Sequence, residues 1–390
     1  MNCIYLDNSA TTKPSEASLR KMGEALSVTY GNPSSVHAVG NASKKLMDEA
    51  RRQVLCSLGI RKLPDWELIF TSGGTEANNL AIFGTVYAKN RPEKGGSRGK
   101  IFISDGEHSS VDACAEKLSA DGFTVLRVPT AEGKLDLDFI REKADASTVL
   151  ASFMLVNNET GAIYDVKSAF DIIRAASKNA VCHTDAVQGY LKTKFTPAGL
   201  GCDAITVSAH KIYSPKGAGA LVVKRDMVTA KRIVPIIHGG GQENNFRSGT
   251  ENVPAIAAFG CAAEEGMRDF DRRFGHITAL REKIAAGLEG SGIRINAPEK
   301  CVPNIINLTL PGIRSEIMLN FLSGLGICIS AGSACSTHQG GPSKALLAYG
   351  LPKNEADTSV RVSLGCENTE EEIEEFLKNI LRGTKALARR

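Results

Sequence analysis

Short apolar runs rich in β-branched residues alternate with longer helical patterns over the first two thirds of the chain. The predicted strands are Glu67–Thr71, Lys100–Ser104, Thr124–Val128, Val149–Val156, Val181–Thr184, Ala204–Ser208 and Gly219–Val223. Helical patterns lie between them, for example over Thr75–Lys89, Ser110–Ala120 and Ser168–Asn179. This alternation is typical of an α/β fold with a mainly parallel sheet.

The pattern changes near Asn252 and indicates a smaller α+β domain packed on the large one. The elements predicted there are one long helical stretch over Pro254–Gly290, a strand at Ile305–Leu310, a helix at Ser315–Leu325, a strand at Thr358–Ser363 and a helix from Glu370. The segment Lys89–Lys100 contains one proline and three glycines, so it is expected to be a flexible surface loop.

Composition and charge exclude several classes of protein. With 42% hydrophobic and 23% charged residues in a chain of 390, the composition is that of an ordinary soluble globular protein. No apolar run approaches the roughly 18 residues of a transmembrane helix, and no secretory signal is visible, so a cytoplasmic location is expected. The net charge of +4 is too balanced to favour nucleic acid. The ten cysteines contain no C-x-x-C pair and are expected to be reduced, most of them as small core residues.

The first candidate site is the segment Ser72-Gly73-Gly74-Thr75, which connects a predicted strand to a predicted helix. Free backbone N–H groups and the positive end of the helix dipole converge at such a turn, and both favour a phosphate. The segment is neither a P-loop nor a dinucleotide-binding fingerprint. A plain strand–helix turn with a threonine cap is the structural alternative.

Two other predicted strands are followed by residues suited to a ligand. Asp185 follows Val181–Thr184, and the carboxyl ends of strands in α/β sheets carry ligand-binding groups. Lys211 follows Ala204–Ser208, where a semi-buried lysine can serve as a Schiff-base nucleophile. The alternatives are an N-cap for the next helix at Asp185 and an ordinary surface lysine at Lys211.

A phosphate turn, a carboxylate for a pyridinium nitrogen and a lysine for a Schiff base together suit pyridoxal 5'-phosphate. Their order and content resemble the class V aminotransferase family. The segments Arg247–Asn252 and Ala331–Cys335 extend the resemblance to its cysteine desulfurase branch, the NifS/IscS-like proteins. It runs nearly end to end, from Tyr5–Thr12 through Asn32–Ser35 to Val360–Gly365.

The resemblance implies a fold and a division into domains. The fold is expected to be the PLP-dependent transferase fold type I, with a large, mostly parallel seven-stranded sheet domain and a small α+β domain. The large PLP-binding domain is expected to span residues 15–255. The small domain is expected to combine residues 1–14 with residues 256–390.

The resemblance also implies roles for individual residues. Lys211 is expected to bind the cofactor covalently and to transfer protons, while Asp185 pairs with the ring nitrogen. Gln188 is expected to reach the ring hydroxyl, and His108 to lie over the ring and move protons. The other expected contacts are Gly74, Thr75, Ser208 and His210 at the phosphate and Asn158 at the ring hydroxyl and the substrate.

Three further residues complete the expected site. The family's counterpart of Thr250 reaches the phosphate of the other subunit, which implies a homodimer. Arg361 suits bidentate binding of a substrate carboxylate, with a structural ion pair as the alternative. Cys335, among small and flexible residues, is expected to be an exposed nucleophile on a mobile loop. Cys328 lies in an apolar run and is interpreted as a packing residue, and Cys366 stands where the family often has a basic residue.

The implied reaction converts L-cysteine to L-alanine and leaves a persulfide on Cys335 for a sulfur-acceptor protein. Iron–sulfur cluster assembly and tRNA thiolation both stay open as destinations, and no membrane or direct nucleic-acid contact is expected. A related aminotransferase or selenocysteine lyase would need Lys211 but not Cys335. A scaffold that binds a metal through Cys335, Cys328 and His338 lacks a fourth ligand at usable spacing. No resident metal is expected, although transient iron–sulfur ligation through Cys335 stays open.

Overall fold

The structure, a computed structural model, describes residues 3–61, 63–89, 98–332 and 342–387. Its strands β1 to β12 are Ile4–Tyr5, Trp66–Thr71, Lys100–Ser104, Thr124–Val128, Thr148–Met154, Val181–Asp185, Ala204–Ser208, Gly219–Lys224, Arg294–Asn296, Ile305–Thr309, Ile327–Cys328 and Ser359–Ser363. Its helices α1 to α14 are Glu16–Ser27, Ala38–Ser57, Gly74–Lys89, Ser109–Ala120, Leu137–Lys143, Val166–Ala176, Pro197–Leu200, Arg225–Thr229, Val253–Arg268, Phe270–Leu288, Ser315–Ser323, Lys344–Tyr349, Lys353–Asp357 and Glu370–Leu387. None of these described helices is both long and apolar enough to cross a membrane.

A seven-stranded sheet in the order β2-β8-β7-β6-β5-β3-β4 forms the centre of the molecule. Strand β8 is antiparallel to both of its neighbours, and the other strand pairs are parallel. All seven residues of β5 are buried, as expected for a strand covered on both faces. The predicted α/β fold with a mostly parallel seven-stranded sheet is therefore confirmed, and each predicted strand end lies within two residues of the observed one.

A second apolar core lies around the small antiparallel sheet β12-β10-β9. It contains Leu6 from the N-terminal segment together with residues of α10, α11 and α14, such as Leu280, Met318 and Phe376. Strand β1 pairs in parallel with β11, which brings the N-terminal segment to this part of the chain. The division into residues 15–255 and residues 1–14 with 256–390 stays a prediction.

The helical stretch predicted over Pro254–Gly290 is not continuous, because it breaks at Asp269 into α9 and α10. Asp269 has φ −97° and ψ 8°, and its carboxylate pairs with Arg268 at 3.0 Å. Helix α9, which straddles residue 255, buries its apolar side chains in the core of the large sheet, whereas α10 contributes to the second core. The apolar spacing of the two helices does not reveal that they serve different cores.

The predicted loop Lys89–Lys100 lies largely outside the described residues, since residues 90–97 are not among them. The segment 333–341, which contains Cys335 and His338, is not described either. The expectations for these residues therefore stay predictions.

Candidate active site

A cavity of about 240 Å³ lies at the carboxyl ends of β6 and β7. It is lined by ten of the predicted site residues: Gly74, Thr75, His108, Asn158, Asp185, Gln188, Ser208, His210, Lys211 and Arg361. Because parallel strands end at one edge of a sheet, residues far apart in sequence meet there. Of the other two predicted site residues, Thr250 lies elsewhere and Cys335 is outside the described part of the chain.

Asp185 is the last residue of β6 and is buried at the cavity wall. Its Oδ2 accepts a hydrogen bond of 2.7 Å from Asn78 Nδ2, and its Oδ1 accepts one of 2.9 Å from the backbone N–H of Val187. The next helix begins only at Pro197, with Thr196 as its N-cap, so the interpretation of Asp185 as a helix cap is wrong. Asn78 is the fifth residue of α3, and no motif in the sequence marks it as a partner of Asp185.

Lys211 ends a short 3₁₀ turn, Ala209–Lys211, that directly follows β7. Its Nζ donates hydrogen bonds to the backbone carbonyl oxygens of Ser9, at 2.5 Å, and Ala10, at 2.8 Å. The side chain is partly buried, so the alternative of an ordinary surface lysine is wrong. The amine is thus held against the N-terminal segment at the cavity wall.

Two histidines of the cavity have lowered pKa values. His108 caps the N-terminus of α4, and its Nδ1 lies 2.8 Å from Ser110 Oγ. Burial lowers the pKa of His108, Lys211 adds to that effect and Asp185 opposes it. Burial, with the positive charge of nearby lysines, lowers the pKa of His210 to about 4. Each neutral imidazole keeps one donor and one acceptor nitrogen, which is what a proton-transfer group requires.

Arg361 lies in the middle of β12 and is almost fully buried, with 2% of its surface exposed. Its Nη2 lies 2.9 Å from Asp7 Oδ1, and its Nη1 donates to the backbone carbonyl of Asn158 at 2.9 Å. Its Nε has no hydrogen-bond partner among the described residues. Arg361 therefore forms a structural ion pair and also lines the cavity. Asn157 shapes the neighbouring turn by accepting from two backbone N–H groups, whereas Asn158 lines the cavity.

The turn before α3 is packed closely against the start of β8. A Cβ atom at Gly219 would lie 2.7 Å from the carbonyl carbon of Gly73, so only glycine allows this approach. Helix α3 begins at Gly74, and its first-turn N–H groups have no partner within the helix. The buried Oγ of Ser208, beside this turn, also has no hydrogen-bond partner among the described residues. These donors suit an anionic group.

The family model for class V aminotransferases matches residues 4–376 of this chain. Cysteine desulfurase IscS 1 of Archaeoglobus fulgidus is 37% identical over 380 residues, which cover 96% of this chain and 95% of that protein. Cysteine desulfurase IscS of Clostridium botulinum is 36% identical over 381 residues, covering 96% and 92%. The chain belongs to the class V aminotransferase family. Within that family it belongs to the cysteine desulfurase, NifS/IscS-like branch.

Solved structures agree with this family assignment. A NifS-like protein is 34% identical and superposes with a TM-score of 0.90, covering 99% of this chain and 100% of that one. A NifS-like protein from Rickettsia africae is 30% identical, with a TM-score of 0.85 and coverages of 98% and 99%. The expected fold type I architecture is therefore confirmed.

Class V enzymes of this branch depend on pyridoxal 5'-phosphate, and the cavity fits that cofactor. The unpartnered Ser208 Oγ and the first turn of α3 offer donors for its phosphate. The carboxylate of Asp185 suits its protonated ring nitrogen, and Lys211 suits its aldehyde. The three segments singled out in the sequence, which contain Gly74, Asp185 and Lys211, thus meet in one cavity.

Lys192 is a second lysine at this site that the sequence analysis missed. Its Nζ donates to Gln188 Oε1 at 3.0 Å, and Gln188 Nε2 donates to the carbonyl of Ser9 at 2.9 Å. Burial lowers the pKa of Lys192 to about 7, and the cations of Lys211 and Arg361 add to the effect. The only signal in the sequence is its spacing of four residues from Gln188.

Thr250 lies away from this cavity, at a surface pocket of about 230 Å³. The pocket is formed with residues of α1, of the segment that follows it and of the start of α9, including Leu26, Tyr30 and Val253. Within one chain, Thr250 therefore does not contribute to the cavity that contains Lys211.

The cysteines depart from the expectation that most are core residues. The nine that the structure describes are free thiols, and only Cys114, Cys182 and Cys202 are buried. Cys328 is partly buried and its Sγ lies 3.4 Å from that of Cys3, so its interpretation as a packing residue is wrong. The backbone N–H of Cys366 donates to the hydroxyl of Tyr213 at 2.8 Å, outside the cavity lining.

Proposed function

We propose that this chain is a cysteine desulfurase whose reaction takes place in the cavity between Lys211, Asp185 and Arg361. The observation that carries the proposal is the meeting of these three side chains in one cavity of about 240 Å³. A lysine for the cofactor aldehyde, a carboxylate for its ring nitrogen and an arginine for an amino-acid carboxylate are the groups that such a reaction requires.

Pyridoxal 5'-phosphate supplies, when bound, an electron-accepting ring that stabilises negative charge at the substrate Cα. Lys211 would hold the cofactor through its amine and would take the proton from the substrate Cα. The carbonyl oxygens of Ser9 and Ala10 position its Nζ at the cavity wall. Asn78 holds the Asp185 carboxylate through a hydrogen bond of 2.7 Å, and this carboxylate would pair with the ring nitrogen.

The other predicted site residues would bind and orient the cofactor and the substrate. Ser208, His210 and the first turn of α3 at Gly74 and Thr75 would hold the phosphate. Gln188 would reach the ring hydroxyl with the second N–H of its Nε2, since Lys192 donates to its Oε1 and the first N–H donates to the Ser9 carbonyl.

Arg361 binds the carboxylate of L-cysteine through the guanidinium, while Asp7 and the carbonyl of Asn158 hold the guanidinium in place. Asn158 also faces the substrate. The neutral imidazole of His108 moves a proton between substrate and cavity.

The sulfur leaves as a persulfide on Cys335: L-cysteine and the Cys335 thiol become L-alanine and Cys335–S–SH. One C–S bond breaks, one S–S bond forms, and no external oxidant is needed. Cys335 lies outside the described residues, so this step rests on the Ala331–Cys335 segment and the family assignment.

We further propose that the working form is a homodimer in which Thr250 reaches the cofactor phosphate of the partner subunit. Two features support it: Thr250 lies outside the cavity of its own chain, and exposed apolar residues surround its pocket. A protein acceptor then takes the sulfur for iron–sulfur assembly or tRNA thiolation, and a cytoplasmic location is part of the same proposal.

The deciding experiment compares the wild type with Cys335→Ser. With L-cysteine, the wild type should release alanine and carry a persulfide, detected as added mass on the intact protein. Cys335→Ser should still change the visible spectrum of the bound cofactor but release no alanine, because a serine hydroxyl is barely ionised near pH 7. Alanine release at the normal rate would instead favour a lyase of the same family.

A further inference from the structure

Two thiols lie side by side at the edge of the second core. Cys3 precedes β1, and Cys328 is the last residue of β11. The parallel register pairs Ile4 with Ile327 and Tyr5 with Cys328, so Cys3 and Cys328 lie on the same face of this two-stranded sheet. Their Sγ atoms are 3.4 Å apart, close enough for a thiol hydrogen bond and about 1.4 Å longer than a disulfide.

The two thiols differ in access to solvent. Cys3 is exposed, whereas Cys328 is partly buried. A small oxidant therefore meets Cys3 first. Cys328 then lies within reach of any mixed disulfide that forms there.

We propose that Cys3 and Cys328 form a redox-active dithiol that low-molecular-weight disulfides of the glutathione type oxidise reversibly to an intramolecular disulfide. The Cys3 thiolate attacks one sulfur of the small disulfide and releases one small thiol. The Cys328 thiolate then attacks the Cys3 sulfur and releases the second. The protein loses two electrons and two protons, and the oxidant is reduced to two thiols.

The second step should depend on pH. Burial and the neighbouring Cys3 and Asp7 raise the pKa of Cys328 to about 11. The titratable groups that face Cys328 are Cys3, Tyr5 and Asp7. Because the thiolate is the attacking species, closure should become faster as the pH rises toward that value.

Both strands of this sheet lead directly to Arg361. Two residues beyond Cys328, Ser330 exchanges backbone hydrogen bonds with Arg361, with N···O distances of 3.1 and 2.6 Å. Two residues beyond β1, Asp7 forms the ion pair of 2.9 Å with Arg361 Nη2. A cross-link between β1 and β11 thus acts on both segments that hold the guanidinium.

The consequence for ligand binding rests on the proposed function, in which Arg361 binds an amino-acid carboxylate. Closing the disulfide draws the two sulfurs together by about 1.4 Å, which shifts β1 against β11. We expect this shift to disturb the Asp7–Arg361 pair and weaken carboxylate binding. The apparent Kd of L-alanine should rise at least about threefold on oxidation.

The experiment uses the full-length holoenzyme in a Cys335→Ser background, so that the nucleophile itself is not oxidised. The protein is equilibrated with mixtures of reduced and oxidised glutathione, alkylated and analysed by intact mass and peptide mapping. A Cys3–Cys328 cross-link, with loss of two hydrogens, is expected. Adding Cys3→Ser or Cys328→Ser should abolish it, and adding Cys301→Ser, which removes another partly exposed thiol, should not.

Binding of L-alanine, followed by the visible spectrum, then tests the coupling without a thiol ligand that would reduce the disulfide. A cross-link without a change in Kd would refute the coupling to Arg361 but leave the dithiol standing. Glutathione that remains on Cys3 without closure at pH 7 and pH 9 would overturn the dithiol itself. Absence of any cofactor spectrum in the reduced protein would count against the proposed function, not against the dithiol.

Discussion

The cavity around Lys211 and the pocket around Thr250 are built from different kinds of contact. In the cavity, Asp185 and Lys211 have hydrogen-bond partners within the same chain. Around Thr250, large apolar side chains of its pocket face solvent: Tyr30 is 72% exposed and Leu26 is 60% exposed.

The difference indicates which parts of the enzyme one chain completes. A polar group buried with a partner keeps its position without help from another molecule. Covering an exposed apolar cluster with a second surface lowers the free energy of the system. The chemistry of the cavity should therefore depend on its own chain, and the contribution of Thr250 should depend on a second copy.

Lys211→Ala should have the largest effect, because it removes the group proposed both to hold the cofactor and to move the proton. Turnover of L-cysteine should fall at least about 10³-fold, since a positioned acid–base group alone contributes 10²–10⁴. Alanine formation and the visible spectrum are the measurements. Lys178→Ala, at an exposed lysine, is the control and should behave as wild type. Near-normal activity of Lys211→Ala would remove the basis for the cavity as the reaction site.

Asp185→Asn should reduce turnover by roughly 10²-fold while the thermal melting temperature changes little. The new amide oxygen can still accept from the Val187 N–H, and its NH2 can donate to Asn78 Oδ1 once the Asn78 amide turns over. A neutral group does not favour a protonated ring nitrogen, and charge-assisted bonds are about twice as strong. Alanine formation and a thermal melt measure the two quantities. If activity is retained, Asp185 serves only to shape the turn after β6.

Mixed dimers test whether Thr250 acts across subunits. In a dimer of one Lys211→Ala chain and one Thr250→Ala chain, one site carries both defects and the other carries neither. Such mixtures should recover up to about half of wild-type activity per mixed dimer, above either parent. Demonstrated mixed dimers without recovery would show that Thr250 does not act in trans.

The apolar surface near Thr250 provides a second test of the same comparison. Tyr30→Glu places a charge on a side chain that is 72% exposed, so it should weaken self-association without unfolding the chain. Sedimentation at several protein concentrations should show the change, by about tenfold or more in dimer Kd. Ile317→Glu, at a side chain 45% exposed elsewhere, is the matched control and should leave self-association unchanged.

A further prediction concerns Lys192, the lysine that donates to Gln188 beside the cavity. Lys192 has a pKa of about 7 in the folded state against an ordinary value of 10.5, so the unfolded state holds more protons between these values. The stability that Lys192 contributes is therefore fully present above pH 10.5 and is lost as the pH falls through 7. Lys192→Met should flatten the rise in the free energy of unfolding between pH 7 and pH 10 by at most about 1.4 kcal/mol per pH unit. Denaturant unfolding at several pH values measures how the free energy of unfolding changes with pH. A pH dependence that Lys192→Met leaves unchanged would contradict the lowered pKa of Lys192.

Much of the fold could be predicted because its signals are local. A buried strand such as β5 is an unbroken apolar run, and the positions of Lys211 and Asp185 near strand ends follow from such runs. The break between α9 and α10 at Asp269 was not predicted, since both helices have the same apolar spacing while they pack in different cores.

The sequence by itself thus determined the strands, the turn at Gly74 and the family, because apolar period and turn residues act within about ten positions. Only the tertiary structure decided which side chains meet. Asn78 reaches Asp185 across 107 positions, Cys3 reaches Cys328 across 325, and Asp7 reaches Arg361 across 354. Such contacts depend on the order of strands in the sheet and on how the N-terminal segment joins the second core, and no local pattern specifies either.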